Sequence, residues 1–456
     1  MGVHPTEVNT MSSEIVKVAD TDTKKQQNVR IIRVAILAEE PLHWGSGKHF
    51  FPAILEDYTW ATRGTIYTFK VRYVYDADIL KGQLITNEFD ILLVPGGGVG
   101  DGQAVMKGII ISRNVRKWKK NISAFIQGGG GYVGICGGTA LMTDLKTKEN
   151  KPRSFLEKMY DKSALGISCV SSYYPSLAMP LFYLSQKKYP ERIGAIAYVF
   201  SFAPGVTTDG VRVHTGGVPI DFQLCKDNPI FSDYPSDTER IRWWGGPALI
   251  VPENPNRTVT ICAKYPTTNI SEKKTTQIHA WSYTGGLHTL FISFLKALMY
   301  IKKEQGKLKD VFLYAYFMAT GWRSTNQIID LDYADKPSIT TEIYPNENKG
   351  RILLCTSHPE YLIWWDGHIT EMKDIPSPRL ATGLYKWEGI KPLSPDAEKE
   401  LTHTWWMVRR FVAWAAKVPD EDLPPIEKVI LTKEHQAILS KNVFWDGSLK
   451  NQMENI

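Results

Sequence analysis

The stretch Gly131–Tyr132–Val133–Gly134–Ile135–Cys136–Gly137–Gly138 decides the fold. Its first five residues read as a short buried strand, its last three as a glycine-flanked turn, and Thr139 to Leu145 as an apolar helical segment. A strand that passes through so sharp a turn into a helix is a unit of a parallel α/β sheet. The small residues are needed because side chains would collide at the turn. Working outward, Ile31 to Leu37 and Ile91 to Val94 are further apolar runs of strand length, the second stopped by Pro95. Thr68 to Tyr75 alternates and is rich in β-branched and aromatic residues. Phe50 to Trp60 and Val115 to Ile126 have helical spacing. This rhythm predicts a doubly wound, mostly parallel sheet, whose working residues gather at the carboxyl ends of its strands.

Beyond residue 150 the pattern loosens. Residues 151 to 260 mix short strands with Gly/Pro turns, notably Gly216–Gly217 and Gly245–Gly246–Pro247. Residues 265–348 are expected to be a large insertion, bounded by polar, turn-rich segments and containing an amphipathic stretch from Leu290 to Lys303. Arg351 to Thr356 is again a strand, and Thr402 to Lys417 an amphipathic helix. The expected organisation is a polar tail (1–29), one α/β domain (30–420) interrupted by the insertion, and a C-terminal extension (421–456). The aromatic insertion, rooted just before the Arg351 strand, is expected to form a lid or a partner-docking surface.

Composition narrows the function classes. The formal net charge of +6 is small for 456 residues, and no basic stripe with interleaved aromatics appears, so no nucleic-acid partner is expected. The longest membrane-span candidate, Leu290 to Ile301, is too short and contains Lys296, so no membrane association is expected. The 5 cysteines are scattered, odd in number and without a CxxC pair, which points to a reducing, cytoplasmic compartment. No metal or cofactor is expected: His43 and His49 lack a third ligand, and Gly45–Ser46–Gly47–Lys48 lacks the first glycine and the final Ser or Thr of a phosphate loop. His214, His279 and His288 are read as ordinary histidines near glycine turns. Trp364–Trp365–Asp366–Gly367 is read as core packing.

Three segments can carry chemistry. Cys136, on its turn ahead of a helix N-terminus, is suited to a reactive thiolate. Val94–Pro95–Gly96–Gly97–Gly98 offers bare backbone N–H groups that can face a developing oxyanion. Ser357–His358–Pro359–Glu360 sets a base and a carboxylate at one strand end. Each alone also has a structural reading: a buried cysteine beside a glycine turn, a flexible poly-glycine turn, and a histidine before proline, which is more often structural. Together they lie at three predicted strand ends, where this sheet type builds its site.

The pattern PGG, then GICGG, then HPE resembles class I glutamine amidotransferases. It is closest to the domain at the N-terminus of eukaryotic biotin–protein ligases, which Trp243–Trp244–Gly245–Gly246–Pro247–Ala248 and the segment Trp406 to Lys417 also resemble. The resemblance spans roughly residues 30–260 and 349–420. It implies a flavodoxin-like sheet and a cysteine-dependent amidase or amidotransferase acting on a small carboxamide or acyl compound. Cys136 would be the nucleophile, His358 the base and then the acid, and Glu360 the orienting carboxylate. The backbones of Gly137 and of Gly97 or Gly98 would form the oxyanion hole, and a protein partner would accept any ammonia. One departure is Ala140, which stands where glutamine-using members carry Gln. The competing reading is a binding or regulatory module that keeps the fold.

Overall fold

A computed structural model of the chain describes residues 28–38, 46–96, 113–146, 218–243, 246–268, 332–345, 349–361 and 397–435, with shorter pieces between 148 and 214, between 279 and 328, and between 368 and 388. Among the described residues the main sheet has ten strands. In chain order they are β1 (Asn28–Leu37), β2 (Thr59–Thr62), β3 (Thr65–Val74), β4 (Ile91–Val94), β5 (Gly131–Ile135), β6 (Val218–Leu224), β7 (Thr238–Trp243), β8 (Val259–Lys264), β9 (Pro337–Tyr344) and β10 (Gly350–Cys355). Their spatial order is β7-β6-β8-β9-β10-β5-β4-β1-β3-β2. The five strands β10, β5, β4, β1 and β3 run parallel. The remaining strands pair antiparallel, so the expected mostly parallel sheet is a parallel centre with an antiparallel wing on one side and β2 on the other.

Side-chain alternation divides the core between the two faces of this sheet. Ile32, Val34 and Ile36 of β1 join one cluster with Ile91, Leu93, Val133, Ile135 and Leu353. Ala35 and Leu37 join the other with Leu92, Val94, Tyr132, Ile352 and Leu354. The helices α1 (Ser46–Leu55) and α5 (Ala397–Ala415) cover the first face. The helices α2 (Asp76–Lys81), α3 (Arg113–Gln127) and α4 (Gly137–Met142) cover the second. Strands buried on both faces must be apolar throughout, which is why β4 reads ILLV.

Several boundaries differ from the sequence expectation. The helix read from Phe50 to Trp60 ends at Leu55; Asp57 takes φ 62°, and Trp60 lies on β2. Its indole donates to the Asp422 carbonyl at 2.8 Å, a contact no local pattern reveals. The helix after Cys136 ends at Met142, and Leu145 sits on a short strand, Asp144–Lys146, that pairs with Ser171–Tyr173. The segment 265–348 is not wholly an insertion. Its last strand, β9, is a central member of the sheet, between β8 and β10. Residues beyond 420 are tied to the body: the Tyr67 hydroxyl donates to Asp422 at 2.9 Å and the Trp406 indole to the Pro424 carbonyl at 2.8 Å. Among the described residues no helix is long and apolar enough to cross a membrane.

Candidate active site

Three neighbouring parallel strands, β10, β5 and β4, deliver the chemistry-bearing segments to one edge. Their register aligns Leu354 with Gly134 and Val94 with Gly134, so the residues that follow emerge at one level. Cys136 emerges from the middle strand, His358 from one neighbour and Gly96 from the other.

Cys136 has φ 48° and ψ −106°, a conformation that L residues seldom adopt. Such backbone costs about 1–3 kcal/mol and persists only where its surroundings over-determine it. Here they do. The Cys136 N–H donates to the Cys355 carbonyl at 2.6 Å, and its own carbonyl accepts from Thr139 N–H at 2.9 Å. The Thr139 hydroxyl lies 3.0 Å from the Gly134 carbonyl and 2.9 Å from that of Cys355, stitching the turn to both strands. The Tyr132 hydroxyl donates to the Gly138 carbonyl at 2.6 Å. A Cβ on Gly138 would lie 2.2 Å from the Val94 carbonyl oxygen, and one on Gly134 2.7 Å from the Gly138 oxygen. The glycines of GICGG are therefore spaces the fold occupies.

His358 follows β10 and is fixed by a strand from the antiparallel wing. Its N–H donates to the Arg242 carbonyl at 2.8 Å, an antiparallel bridge to the end of β7. Glu360 Oε1 lies 2.7 Å from His358 Nδ1, with both side chains almost wholly buried. The Tyr361 ring stacks on the imidazole at 4.8 Å and 9°, and Phe50 meets Tyr361 edge-on at 5.1 Å. Burial works against an imidazolium at this place. The charges of Glu360 and Cys136, with side-chain hydrogen bonds to both, outweigh it and raise His358 to about 10. The structure thus brings Cys136, His358 and Glu360 together, with the imidazole between thiol and carboxylate. Gly137 opens α4 directly after Cys136, where first-turn N–H groups lack intrahelical acceptors. Gly97 and Gly98 lie outside the described residues. Ala140 is half-buried in α4.

Burial pushes Cys262 and Cys355 up to about 12 and Cys169 to about 11, and it also raises Cys225. All five are free. Among the described residues, no group of three or more His, Cys, Asp or Glu is placed to hold a metal ion. His43 lies outside the described residues, and His279 sits on a separate two-stranded sheet.

Sequence reasoning missed three supports. Gly96 lies against both reacting groups: a Cβ there would stand 2.4 Å from His358 Cε1 and 2.7 Å from Cys136 Cβ. Gly246 lies against the strand end that leads to His358, where a Cβ would be 1.9 Å from the Thr356 oxygen. The neighbouring Pro247 carbonyl accepts the Tyr265 hydroxyl at 2.9 Å, and that hydroxyl is also 2.9 Å from Thr356 Oγ1. Gly246 and Pro247 therefore buttress the His358 arm. The third is Arg242, buried at 1% exposure, with its guanidinium 5.4 Å from the Tyr361 ring centroid. Gly96 stood in the PGGG segment and Gly246 in WWGGPA, but neither signal gave this packing role, and Arg242 carried no signal.

No protein-family model matches the chain, and no curated protein matches it. Among solved structures the chain is similar to a ThuA-like protein from Bacteroides uniformis, at 9% identity and a TM-score of 0.25, over 72% of this chain and 81% of that one. That likeness is too slight to add to the geometry, and what stands on the chain's own topology is an α/β fold with its candidate residues at the carboxyl edge of the parallel strands.

Proposed function

We propose that the protein is a cysteine-dependent amidase or amidotransferase-like enzyme acting on a small carboxamide or related acyl compound. The observation that carries this reading is the imidazole of His358 held between Cys136 and Glu360, on a cysteine whose backbone is strained. In this reading the Cys136 thiolate adds to the carbonyl carbon of the carboxamide. The oxyanion takes hydrogen bonds from the Gly137 N–H and from Gly97 or Gly98. The His358 proton passes to the departing nitrogen, the C–N bond breaks, and ammonia leaves a thioester on Cys136. His358 then removes a proton from water, which attacks the thioester and releases the acid and the thiol. Glu360 holds the imidazole in orientation and offsets its charge.

The finer assignment is class I glutamine amidotransferase-like, on the biotin–protein ligase N-terminal branch. It rests on PGG, GICGG, HPE, WWGGPA and the segment Trp406 to Lys417, and Ala140 argues for an acyl donor other than glutamine. A partner protein that accepts the ammonia, and a cytoplasmic setting for the scattered thiols, belong to the same proposal. The second reading, a binding module, draws on Ala140 and on the burial of Cys136 at 6% exposure.

Brief iodoacetamide labelling at neutral pH, followed by peptide mapping, separates the two. Cys136 should be modified ahead of Cys169, Cys225, Cys262 and Cys355, and a C136S chain should lose that fast phase. Modification of other cysteines first, with Cys136 untouched, would overturn the nucleophile. Ammonia release from a panel of small primary carboxamides, abolished in C136S, then identifies the substrate class.

A further inference from the structure

We propose that residues 287–299 dock the protein onto the surface of an anionic phospholipid bilayer, lying in the headgroup interface without crossing it. The inference is independent of the chemistry at Cys136. The described residues between 287 and 299 are helical. Leu287, Phe291, Leu295 and Met299 recur at every fourth position, so they follow one another along one helix face. Leu287, Phe291 and Met299 expose 69%, 61% and 66% of their surface, and Ile292 and Leu295 are exposed as well. Single apolar residues scattered over a surface need no explanation. A row of large ones on successive turns does, because water then covers apolar area of the kind the rest of the fold buries.

Two observations choose the occupant. The first is extent. A stable protein interface takes about 20–30 residues a side, far more than a stripe of this width supplies. A bilayer demands no matching surface, and an amphipathic helix seats its apolar face at the boundary of headgroups and acyl chains. The second is charge. From 284 to 303 the sequence carries Lys296, Lys302 and Lys303 and no Asp or Glu. Lys307 and Lys309 follow, set against Glu304 and Asp310. A helix whose apolar row adjoins an excess of lysine fits a surface that is apolar within and negatively charged at its headgroups. The shortness of the segment and Lys296 argue against a span, but neither bears on a helix that lies in the interface. The segment leaves the main sheet after β8 and the chain returns at β9, so its docking leaves the strands that carry the candidate site intact.

The test is co-sedimentation of the full chain with vesicles of phosphatidylcholine alone and of phosphatidylcholine with about 30% phosphatidylserine. The chain should partition onto the anionic vesicles at least about tenfold more strongly than onto the neutral ones, and that preference should fade at about 0.5 M salt. F291S/L295S should weaken partition at least about tenfold, because two apolar side chains leave the interface. It should keep the wild-type urea midpoint, since the side chains it trims are exposed. K302Q/K303Q should weaken binding to anionic vesicles about tenfold. Should F291S/L295S not fold, L287S/M299S carries the same threshold. Absence of sedimentation, equal partition onto both compositions, or wild-type binding by either folded variant overturns the proposal. So does a concentration-dependent dimer in light scattering that F291S/L295S breaks while vesicles stay unbound, which would assign the stripe to a second copy of the chain.

Discussion

Cys136 and His358 impose opposite demands on the residues around them. The cysteine needs strained backbone, so it is surrounded by glycines that cannot be enlarged: Gly134, Gly138 and, across the cleft, Gly96. The histidine needs a fixed ring, so it is stacked, hydrogen-bonded and buried. Its shift has a thermodynamic consequence. The folded chain keeps the His358 proton to about 10, whereas an ordinary imidazole loses it near 6.5. Between those values the native state binds a proton that the unfolded chain has released, so stability falls as pH rises. The contribution is complete below about 6.5 and is lost as pH climbs through about 10. The buried thiols of Cys262 and Cys355 add a separate fall, because they ionise more readily once unfolded, from an ordinary value near 9. The window that isolates His358 is therefore pH 6.5 to 8. A thiolate–imidazolium pair would cancel in this balance, so the comparison is made without the thiol: urea midpoints should decline across that window in C136A and stay level in C136A/H358Q. Equal slopes in the two chains would mean that His358 is not protonated in the native state.

β9 shows how a single element can escape a sequence reading and still hold the site together. Its residues, PSITTEIY, include Ser338, Thr340, Thr341 and Glu342, all buried. Neighbouring groups satisfy Glu342, whereas Ser338 Oγ and Thr340 Oγ1 are buried without a hydrogen-bond partner. Glu342 meets Arg257 Nη1 at 2.6 Å, accepts the Ser168 hydroxyl at 2.5 Å and receives the Cys169 N–H at 3.2 Å. Removing one partner of a buried ion pair strands the other, so E342L should cost about 2–4 kcal/mol in denaturant unfolding. The R257M/E342L double variant should recover most of that loss, because replacing both partners with apolar groups is often close to neutral. A folded E342L within about 0.5 kcal/mol of the wild type would refute a stabilising role for the Arg257–Glu342 pair. The same strand explains what was legible. β1, β4, β5 and β10 were readable because strands covered on both faces must be apolar. β9 was not, since its buried residues include Ser, Thr and a Glu342 matched by partners distant in sequence, and so its residues looked like part of an insertion. The GICGG and HPE segments were legible because their residue types are chemically unusual at strand ends. Gly96 and Arg242 were not, because their roles exist only as close approaches between separate elements.

At the scale of the whole molecule, the placement of β9 redraws the boundary of what is dispensable. The chain leaves the sheet after β8 and returns at β9, and the two ends are tied together. Tyr265 N–H donates to the Lys336 carbonyl at 2.9 Å, and Asp335 N–H to the Pro266 carbonyl at 3.0 Å. This root lies at the working edge of the sheet, since Tyr265 also meets Thr356, two residues before His358. Tyr333 packs beside it, with ring centroids 5.0 Å from Tyr265 and 6.3 Å from Trp243. The described strands within the intervening segment, His279–Tyr283 and Trp322–Ile328, pair with each other and not with the main sheet. A deletion extending to residue 345 would remove β9 and split β8 from β10. One confined to residues 270–330 would keep β9, Tyr333 and both root hydrogen bonds. Because those ends already meet, bridging them with a short Gly/Ser linker carries little closure entropy, which grows only slowly with loop length. The 270–330 replacement should therefore unfold cooperatively, with Cys136 still alkylated ahead of the other cysteines. The deletion to 345 should fail to fold. A single sigmoidal denaturation curve for the first chain and none for the second is the expected pair of results; loss of cooperative unfolding in the shorter deletion would show that residues 270–330 are integral to the core.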